Sequence, residues 1–370
     1  MTLVYILYDS INNTVFAGQV WSMLLKFLAQ NSYQKIILIS FETKLISHNY
    51  ANPAIQIIQI KRTRYWGKIC LILDFLKIIK YLPKQNYQVI ARGPFAGYLA
   101  LKTNQLLLNK PKIVVQARGL ASAEYDYSHQ QKTPSPKNKP ISRMVRQANH
   151  ERALGKYIWF IYQNIFTKIR VRQLFKLEQT VYSCPDPNLK IECVSNALKD
   201  YLMQNFNAHP NQLTIAQNDL PVKIKPSKLA TWRKQIRQKF GINLNAEVYC
   251  YSGSTHPWQC PELTIDFFKN KLAQDQSAFL LILTNQKTIF EKLLQAASIP
   301  MQNYLVLNVN YQQIYQYLAA ANYGLLFREA HILNWVSRPT KALEYASANL
   351  EIIHNQTIAW LVNKKNQAKI

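Results

Sequence analysis

The stretch that decides the fold runs from Tyr323 to Ala346 and reads YGLLFREAHILNWVSRPTKALEYA. It opens with a short apolar run, which is typical of a buried strand, and a polar segment follows. A helix is predicted from about Pro339, because proline suits the first helical turn, where its missing N–H is not needed. Ser337 precedes this helix and is predicted to cap it. A strand, a polar loop and a helix in this order form part of a βαβ unit, which indicates a parallel α/β sheet.

The same alternation recurs along the whole chain. Strands are predicted at 3–8, 35–40, 54–60, 88–91, 112–116, 191–194, 213–216, 248–251, 279–284, 304–309, 323–327 and 350–354. Helices are predicted at about 15–28, 69–82, 142–181, 197–205, 229–240, 261–272, 288–297, 312–321 and 339–348. Residues 126–142, rich in proline and lysine, predict a mobile loop. The two series predict two facing Rossmann-like domains with a central cleft, residues 1–219 and 220–370, joined by the extended connector 221–225.

The charge of the chain is large and unevenly placed. There are 45 Lys+Arg against 19 Asp+Glu among 370 residues, a net charge of +26. Residues 1–250 hold 35 basic and 12 acidic residues, whereas 251–370 hold 10 and 7. A basic charge confined to one part of a chain suits an anionic partner, or is simply a solvated face. A hydrophobic share of 48% supports a buried core and excludes a disordered basic tail.

Targeting signals and cysteine patterns are not found in the sequence. The five cysteines are scattered without CxxC spacing, which predicts neither a zinc site nor a disulfide framework. The first residues lack the basic flank and cleavage site of a signal peptide, and no apolar run is long enough to span a bilayer. We therefore expect a cytoplasmic protein without a metal site.

Lys341 and Glu344 lie three residues apart, which places them on one face of the predicted helix. The start of that helix would favour an anion through its free N–H groups and dipole. A cation there suits a diphosphate, and a carboxylate suits a pair of sugar hydroxyls. An ordinary capped helix with a surface ion pair would have the same spacing, and the spacing alone favours that interpretation.

The stretch 323–346 resembles the nucleotide-sugar signature of the family 4 (group 1) glycosyltransferases, which have the GT-B fold. Relatives carry a strand ending in Leu-Leu-Arg-Glu, then Asn, Pro-x-Lys and a Glu-Tyr pair. Further resemblances lie in the glycine loop at 248–254 with Trp258-Gln259, in the Val-Ser element at 193–202, in Gln116-Ala117-Arg118-Gly119-Leu120, and in the start at 8–20. Together they cover nearly the whole chain, in the family's order.

The resemblance implies a transfer of a sugar from a nucleotide diphosphate, which acts as co-substrate, to a glycan or lipid-linked acceptor in polysaccharide or glycoconjugate synthesis. It implies retention of the anomeric configuration, independence of a metal, and no cofactor. The implied catalytic residues are Glu329 and Arg118. The implied donor-binding residues are Gly253, Ser254, His256, Arg328, Asn334, Ser337, Lys341 and Glu344. The implied acceptor-side residues are Asn12, Asn13 and Arg92. Glu124, Asp126 and His129 lie near Arg118 in the sequence, and none is singled out as a general base.

This chain departs from the family's pattern at several positions. The usual Arg and Lys after the glycine loop are missing, and His256 is expected to substitute in part. Gln116 stands where relatives have Asp before Ala-Arg-Gly. Glu329 and Glu344 do not keep the usual Glu-x7-Glu spacing. The chain stops at Ile370, where members continue with another strand and helices, so a shortened second domain is expected.

Two other functions fit the sequence. A basic nucleic-acid-binding protein would account for the charge, although the resemblance leads us to expect no nucleic acid as partner. A non-catalytic relative of GT-B enzymes would account for the missing phosphate-binding residues.

A peripheral contact with the inner face of an anionic membrane is a further prediction. Residues 61–84 combine basic side chains with Tyr65, Trp66 and an apolar run at 71–73, a mixture that suits an acidic bilayer surface.

Overall fold

The computed structural model describes residues 1–13, 16–63, 68–107, 110–130, 150–217 and 224–362. The chain divides into two compact units. Most of the first lies within Val20–Ala216, and the main part of the second begins at Gln217. Each unit contains one sheet of parallel strands flanked by helices. The predicted connector 221–225 lies mainly outside the described residues.

The first unit is built on a seven-stranded sheet in the order β3-β2-β1-β4-β5-β6-β7. Its strands are β1 (Thr2–Leu7), β2 (Lys35–Glu42), β3 (Ile55–Lys61), β4 (Tyr87–Arg92), β5 (Lys112–Ala117), β6 (Leu189–Cys193) and β7 (Leu213–Ile215). All neighbours pair in parallel; Val4, for example, lies between Ile37 and Val89. The central strands are near-continuous apolar runs because helices cover both faces of such a sheet.

The helices of the first unit connect these strands. They are a π-helix at Phe16–Trp21 followed by α1 (Ser22–Ala29), then α2 (Lys68–Ile79), α3 (Gly93–Leu106), α4 (Ala121–Gln130), α5 (His150–Tyr182) and α6 (Asn196–Phe206), with a 3-10 turn at Pro210–Gln212. Helix α6 shows how the sequence fixes both ends. The Ser195 hydroxyl accepts a hydrogen bond from Leu198 N, and Asn207 closes the helix in the left-handed conformation at φ 55°.

The second unit is built on a five-stranded parallel sheet in the order β10-β9-β8-β11-β12. Its strands are β8 (Val248–Ser252), β9 (Phe279–Leu283), β10 (Tyr304–Leu307), β11 (Tyr323–Leu326) and β12 (Glu351–His354). Its helices are α7 (Pro226–Lys239), α8 (Pro261–Gln274), α9 (Lys287–Ala296), α10 (Ile314–Leu318), α11 (Ile332–Trp335) and α12 (Thr340–Ser347), with 3-10 turns at Pro257–Gln259, Met301–Asn303 and Tyr311–Gln313. Two apolar clusters, one on each face of the sheet, form the core.

The structure differs from the predicted elements in two places of the first unit. Helix α3 lies between β4 and β5, where no helix is predicted. Residues 126–130, assigned to a loop, belong to the end of α4, and the rest of the predicted loop lies outside the described residues. The long helix predicted from 142 is described from His150.

Candidate functional site

The carboxyl edge of the second sheet brings two loops together. β8 and β11 are neighbours, with Tyr249 paired to Tyr323, so the loops that follow them start side by side. The first begins at Gly253, and the second begins at Phe327 and leads through α11 into α12. The strand order turns at this pair, since β9 and β10 extend from β8 while β12 extends from β11. Open α/β sheets bind ligands at such a point, which makes this edge the candidate site.

Helix α12 begins at Thr340, and its capping differs from the prediction. Pro339 is the N-cap residue, with φ −63° and ψ 131°, and no side chain accepts a capping hydrogen bond. The Ser337 hydroxyl instead donates to the Asn334 carbonyl at 2.8 Å, at the end of α11. The prediction that Ser337 caps the helix is therefore wrong. A proline fixes its own φ, so the backbone itself sets the entry into α12.

Lys341 lies in the first turn of α12, with its ammonium at the start of the first loop. Nζ donates a hydrogen bond to Gln259 Oε1 and lies 4.9 Å from the centroid of the Tyr251 ring. A Cβ on Gly253 would overlap this ammonium, so glycine is required for Lys341 to approach the loop backbone. Burial lowers the pKa of Lys341 well below its usual value, and the positive charge of Arg328 lowers it further.

Arg328 is a second cation at the same edge, and it is only 5% exposed. The side chain of Asn355 accepts from Arg328 N at 3.1 Å and donates to Arg328 O at 2.7 Å, which fixes the backbone. Within the described part of the chain the guanidinium makes one hydrogen bond, from Nη1 to the Phe327 carbonyl at 3.3 Å. Burial lowers the pKa of Arg328.

Lys341 and Arg328 together favour an anionic ligand. In the described ranges neither forms a salt bridge with a carboxylate. Both are desolvated, and each charge raises the free energy of the other. An anion bound between them would remove this penalty, and backbone access at Gly253 would let it approach closely.

Glu344 follows Lys341 by one helical turn and is 7% exposed. Burial raises the pKa of its carboxyl to about 7, although the charge of Lys341 acts in the opposite direction. Tyr311 and Tyr315 lie close enough for the Glu344 charge to raise their pKa values in addition to the effect of burial. Among the described residues none donates a hydrogen bond to the Glu344 carboxylate. The carboxylate is thus available to accept from a ligand that carries hydroxyl groups.

Asn334 and Glu329 hold the second loop in shape. Asn334 is 3% exposed, and its side-chain amide donates to the Glu329 carbonyl at 2.8 Å. Glu329 N donates to the Trp258 carbonyl at 3.3 Å, which joins the two loops, while the Glu329 side chain is exposed. The predicted donor-binding role of Asn334 and Ser337 stays a prediction, since the structure shows both side chains in hydrogen bonds within the loop.

The first loop contains the remaining predicted residues of this unit. Ser254 accepts through Oγ from Gln259 Nε2 at 3.0 Å, and its carbonyl accepts from the Tyr251 hydroxyl at 2.7 Å. His256 is exposed and stacks on Trp258. Gln259 and Tyr251, which hold Lys341, were not predicted as site residues. Only their positions in the sequence could have indicated them. Tyr251 is the last residue of the predicted strand 248–251, and Gln259 lies in the loop that follows.

The residues predicted for the first unit lie at the carboxyl edge of its sheet. Arg92 ends β4 and Arg118 follows β5, and both charges act on the pKa of the buried Tyr5, which burial raises. Asn12 and Asn13 lie in the turn after β1, where Asn13 Nδ2 donates to Asp9 Oδ2 at 2.5 Å. The structure therefore brings Arg92 and Arg118 to one neighbourhood.

The surroundings of Gln116 explain why the sequence departs from the family's pattern at this position. Its side chain accepts from the Tyr5 hydroxyl at 2.8 Å and donates to Glu192 Oε2 at 3.0 Å. Gln116 is 1% exposed, so an aspartate there would place a second carboxylate next to Glu192 in the interior. An amide that both donates and accepts satisfies this buried network.

The Arg118 loop is short and firmly held. Helix α4 starts only a few residues later, and the carboxylate of Glu178 on α5 accepts from Ala121 N at 2.6 Å and Ser122 N at 3.2 Å. Burial raises the pKa of Glu178 to about 7 despite these hydrogen bonds. Burial also raises the pKa of Glu124, one of the three residues considered as a base.

The described residues contain neither a cluster of metal ligands nor a helix that could span a membrane. No three or more His, Cys, Asp or Glu side chains in these ranges stand where they could hold a metal ion. None of the described helices combines the length and apolar character needed to cross a bilayer.

Several solved structures are similar to this chain in fold. No family model and no curated protein matches the sequence. Among solved structures, WaaG, a glycosyltransferase involved in lipopolysaccharide biosynthesis, is 12% identical with a TM-score of 0.63, over 99% of this chain and 84% of its own. Sucrose-phosphate synthase from Thermosynechococcus elongatus is 12% identical with a TM-score of 0.60, over 97% and 82%. HepE from Anabaena, in complex with UDP and glucose, is 10% identical with a TM-score of 0.59, over 98% and 82%.

These neighbours are glycosyltransferases of the GT-B kind, and the likeness extends over both units of the chain. At this level of identity the likeness shows the fold. The prediction of an α/β protein with two Rossmann-like units of the GT-B type is confirmed.

Proposed function

We propose that this chain is a glycosyltransferase that moves a hexosyl or related group from a nucleotide diphosphate to a glycan or lipid-linked acceptor. The observation that carries the proposal is the group of Arg328, Lys341 and Glu344 at the carboxyl edge of the second sheet. Two desolvated cations suit the diphosphate, and a buried carboxylate suits the ribose hydroxyls. Membership of family 4 and a role in polysaccharide synthesis are parts of this proposal and rest on the sequence resemblance.

The chemistry proposed is charge stabilisation. As the bond from the sugar to the diphosphate breaks, negative charge grows on the leaving phosphate, and Lys341 and Arg328 stabilise it. We infer metal-independent transfer because these cations can supply that compensation. Retention of configuration follows the resemblance, with Glu329 and Arg118 as catalytic residues and with Asn12, Asn13 and Arg92 on the acceptor side. Ser254 and His256 complete the proposed donor-binding set, and no cofactor is required.

The test is a calorimetric titration of the intact protein with UDP, GDP, ADP and CDP. We expect one of them to bind, and we expect Glu344→Ala to lose most of that affinity. A protein that binds none of them, or a variant that binds as well as the wild type, would contradict the proposal. Binding of a nucleotide sugar without any hydrolysis or transfer would identify a non-catalytic relative instead.

The pH dependence of binding tests the role of Glu344 separately. An ionised carboxylate accepts from both ribose hydroxyls, whereas a protonated one has lost an acceptor. Since burial raises the pKa of Glu344 to about 7, affinity should be greatest above pH 8 and fall as the pH drops through 7. The expected loss from pH 8 to pH 6 is about tenfold if only the ionised form binds.

A nucleotide sugar is the suitable probe for this measurement, because its doubly esterified diphosphate lacks the ionisation near pH 6 of a terminal phosphate. Glu344→Gln should bind more weakly and with a flat profile between pH 6 and 8. A wild-type profile that is also flat would contradict the assigned role.

Part of the predicted membrane surface, including Tyr65 and Trp66, lies outside the described residues. Leu71, from the predicted apolar run, is buried, so the exposed apolar side chains of this region are others. Helix α2 exposes Leu73, Leu76 and Ile79, by 40%, 53% and 36%. Helix α5 exposes Ile165 and Ile169, by 54% and 47%, and its exposed charges nearby are Lys168, Arg172 and Lys176. We propose that these apolar and basic side chains attach the protein peripherally to the inner face of an anionic membrane.

Vesicle sedimentation tests this attachment. The protein should sediment with vesicles rich in anionic lipid and remain in solution with neutral ones. The double variant Leu76→Glu/Ile169→Glu should lose at least tenfold in partitioning, since each change removes an apolar side chain from the bilayer and adds a negative charge. Leu244→Glu, at an exposed leucine of the second unit, is the matched control. Equal partitioning of all three proteins would show that the surface lies elsewhere.

A further inference from the structure

His256 and Trp258 form an aromatic pair whose stacked rings have no part in the roles proposed above. Their ring centroids are 4.4 Å apart and their planes differ by only 7°, so they are stacked nearly parallel. His256 is exposed and Trp258 is partly buried, at the 3-10 turn Pro257–Gln259. Because His256 is exposed, its ring presents a face to solvent in the described part of the second unit.

The pair lies in the loop that receives Lys341. Gly253, at one end of this loop, admits the ammonium, and Gln259, at the other end, binds it. The Trp258 carbonyl accepts from Glu329 N at 3.3 Å. Trp258 is therefore adjacent in the chain to Gln259, which binds Lys341, and its backbone contacts the loop that contains Glu329.

The groups along this edge follow a definite order. Tyr311 and Tyr315 adjoin Glu344, Glu344 adjoins Lys341, and Lys341 adjoins the loop of His256. A nucleotide sugar has its parts in the order nucleoside, diphosphate and sugar. With ribose at Glu344 and phosphates at Lys341, the sugar falls on the side of the aromatic pair.

We propose that His256 and Trp258 form a stacking platform for the sugar ring of the donor. This proposal rests on the proposed function, since it requires a nucleotide-sugar donor. A pyranose presents several C–H groups on one face, and burial of that face against an aromatic ring is favourable. The hydroxyls at its rim remain free to reach the loop that contains Glu329. His256 then acts through its ring surface, and phosphate compensation rests on Lys341 and Arg328.

The experiment compares each nucleotide sugar with its own diphosphate. The intact protein is titrated with UDP, UDP-glucose, UDP-N-acetylglucosamine, GDP and GDP-mannose, and the ratio of affinities within each pair measures the contribution of the sugar. We expect Trp258→Ala and His256→Ala to reduce that ratio about tenfold, the equivalent of about 1.4 kcal/mol, without a change in diphosphate affinity. His256→Phe and Trp258→Phe keep a ring and should retain most of the ratio.

Matched controls are His209→Ala and Trp232→Ala, which remove the same residue types elsewhere, and thermal unfolding of each variant monitors folding. If His256→Ala weakens the diphosphate and the nucleotide sugar equally, and His256→Phe does so too, His256 is a phosphate ligand and the platform is refuted. A wild-type protein that binds a diphosphate but gains nothing from any sugar also refutes it. Absence of all diphosphate binding refutes the proposed function itself, so the two failures are distinguishable.

Discussion

Replacing Lys341 with methionine is expected to weaken binding of the nucleoside diphosphate about a hundredfold, as expected for the loss of a buried charged hydrogen bond of about 3 kcal/mol. The same change should leave the free protein as stable as the wild type, or make it more stable. In the free protein the ammonium is desolvated and is repelled by Arg328, which is why its pKa is lowered. Methionine fills a similar volume without a charge.

The local contacts support this expectation. Gln259 Oε1 loses the Lys341 ammonium, and the single proton of the Tyr251 hydroxyl, 3.2 Å away, is shared with the Ser254 carbonyl at 2.7 Å. Gln259 is only partly buried, so water can replace the lost donor. The opposite signs of the two effects separate a functional loss from misfolding, because a misfolded variant would lose stability as well.

Calorimetry and thermal unfolding together make the measurement. Lys292→Met, at an exposed lysine of α9, is the control and should change neither quantity. A variant that binds the diphosphate as tightly as the wild type would exclude Lys341 from the site.

The sequence predicted the strands well because buried parallel strands are apolar runs, as in β2 and β9, and such runs need no knowledge of the fold. Helix α3 was missed for a physical reason. Gly93, Pro94 and Gly97 suggest a turn, yet Gly93 adopts φ 77° at the start of the helix. At Gly97 an added Cβ would come within 3.0 Å of Val115 and 2.9 Å of Val181, so glycine allows close packing. A helix buried on several sides lacks the amphipathic period by which helices are found.

The candidate site shows the same division between local and tertiary information. The positions of Lys341 and Glu344 on one helical face follow from their spacing, and the structure brings both to the sheet edge. The contacts of Lys341 with Gln259 and Tyr251 join residues 82 and 90 positions apart, and no local pattern encodes them. The prediction that Ser337 caps α12 was wrong because its hydroxyl donates to the carbonyl of Asn334 in α11. Helix α11 has only four residues, which is too short to show a hydrophobic period in the sequence.

Replacing Arg237 with methionine should have the largest effect on stability, a loss of about 3–5 kcal/mol in the unfolding free energy of the second unit. Arg237, on α7, is 1% exposed. Burial lowers its pKa to about 10, so it is still charged at neutral pH. It donates five hydrogen bonds, to the carbonyls of Asn243, Leu244, Ala246 and Ala320 and to Asn322 Oδ1, at 2.7–3.2 Å.

Those bonds tie the segment before β8 and the turn before β11 to one helix. Asn322 Oδ1 also accepts from Val248 N at 3.0 Å, so Arg237 supports the first residue of β8 through a shared acceptor. Methionine cannot donate, and each buried carbonyl left without a donor costs about 1–3 kcal/mol, reduced where water enters. The expected loss in unfolding free energy is therefore smaller than the sum of these costs over all five acceptors.

Hydrogen exchange measured by mass spectrometry on the full chain can assign the loss to the second unit, because peptides of the two units report their opening separately. Lys234→Met, at an exposed position of the same helix, should change the opening free energy by less than about 0.5 kcal/mol. Arg233→Met should give an intermediate loss, since among the described residues Arg233 donates to two carbonyls, those of Ala319 and Ala321. An Arg237→Met protein whose second unit opens no more readily than that of Lys234→Met would show that the buried guanidinium contributes little beyond its volume.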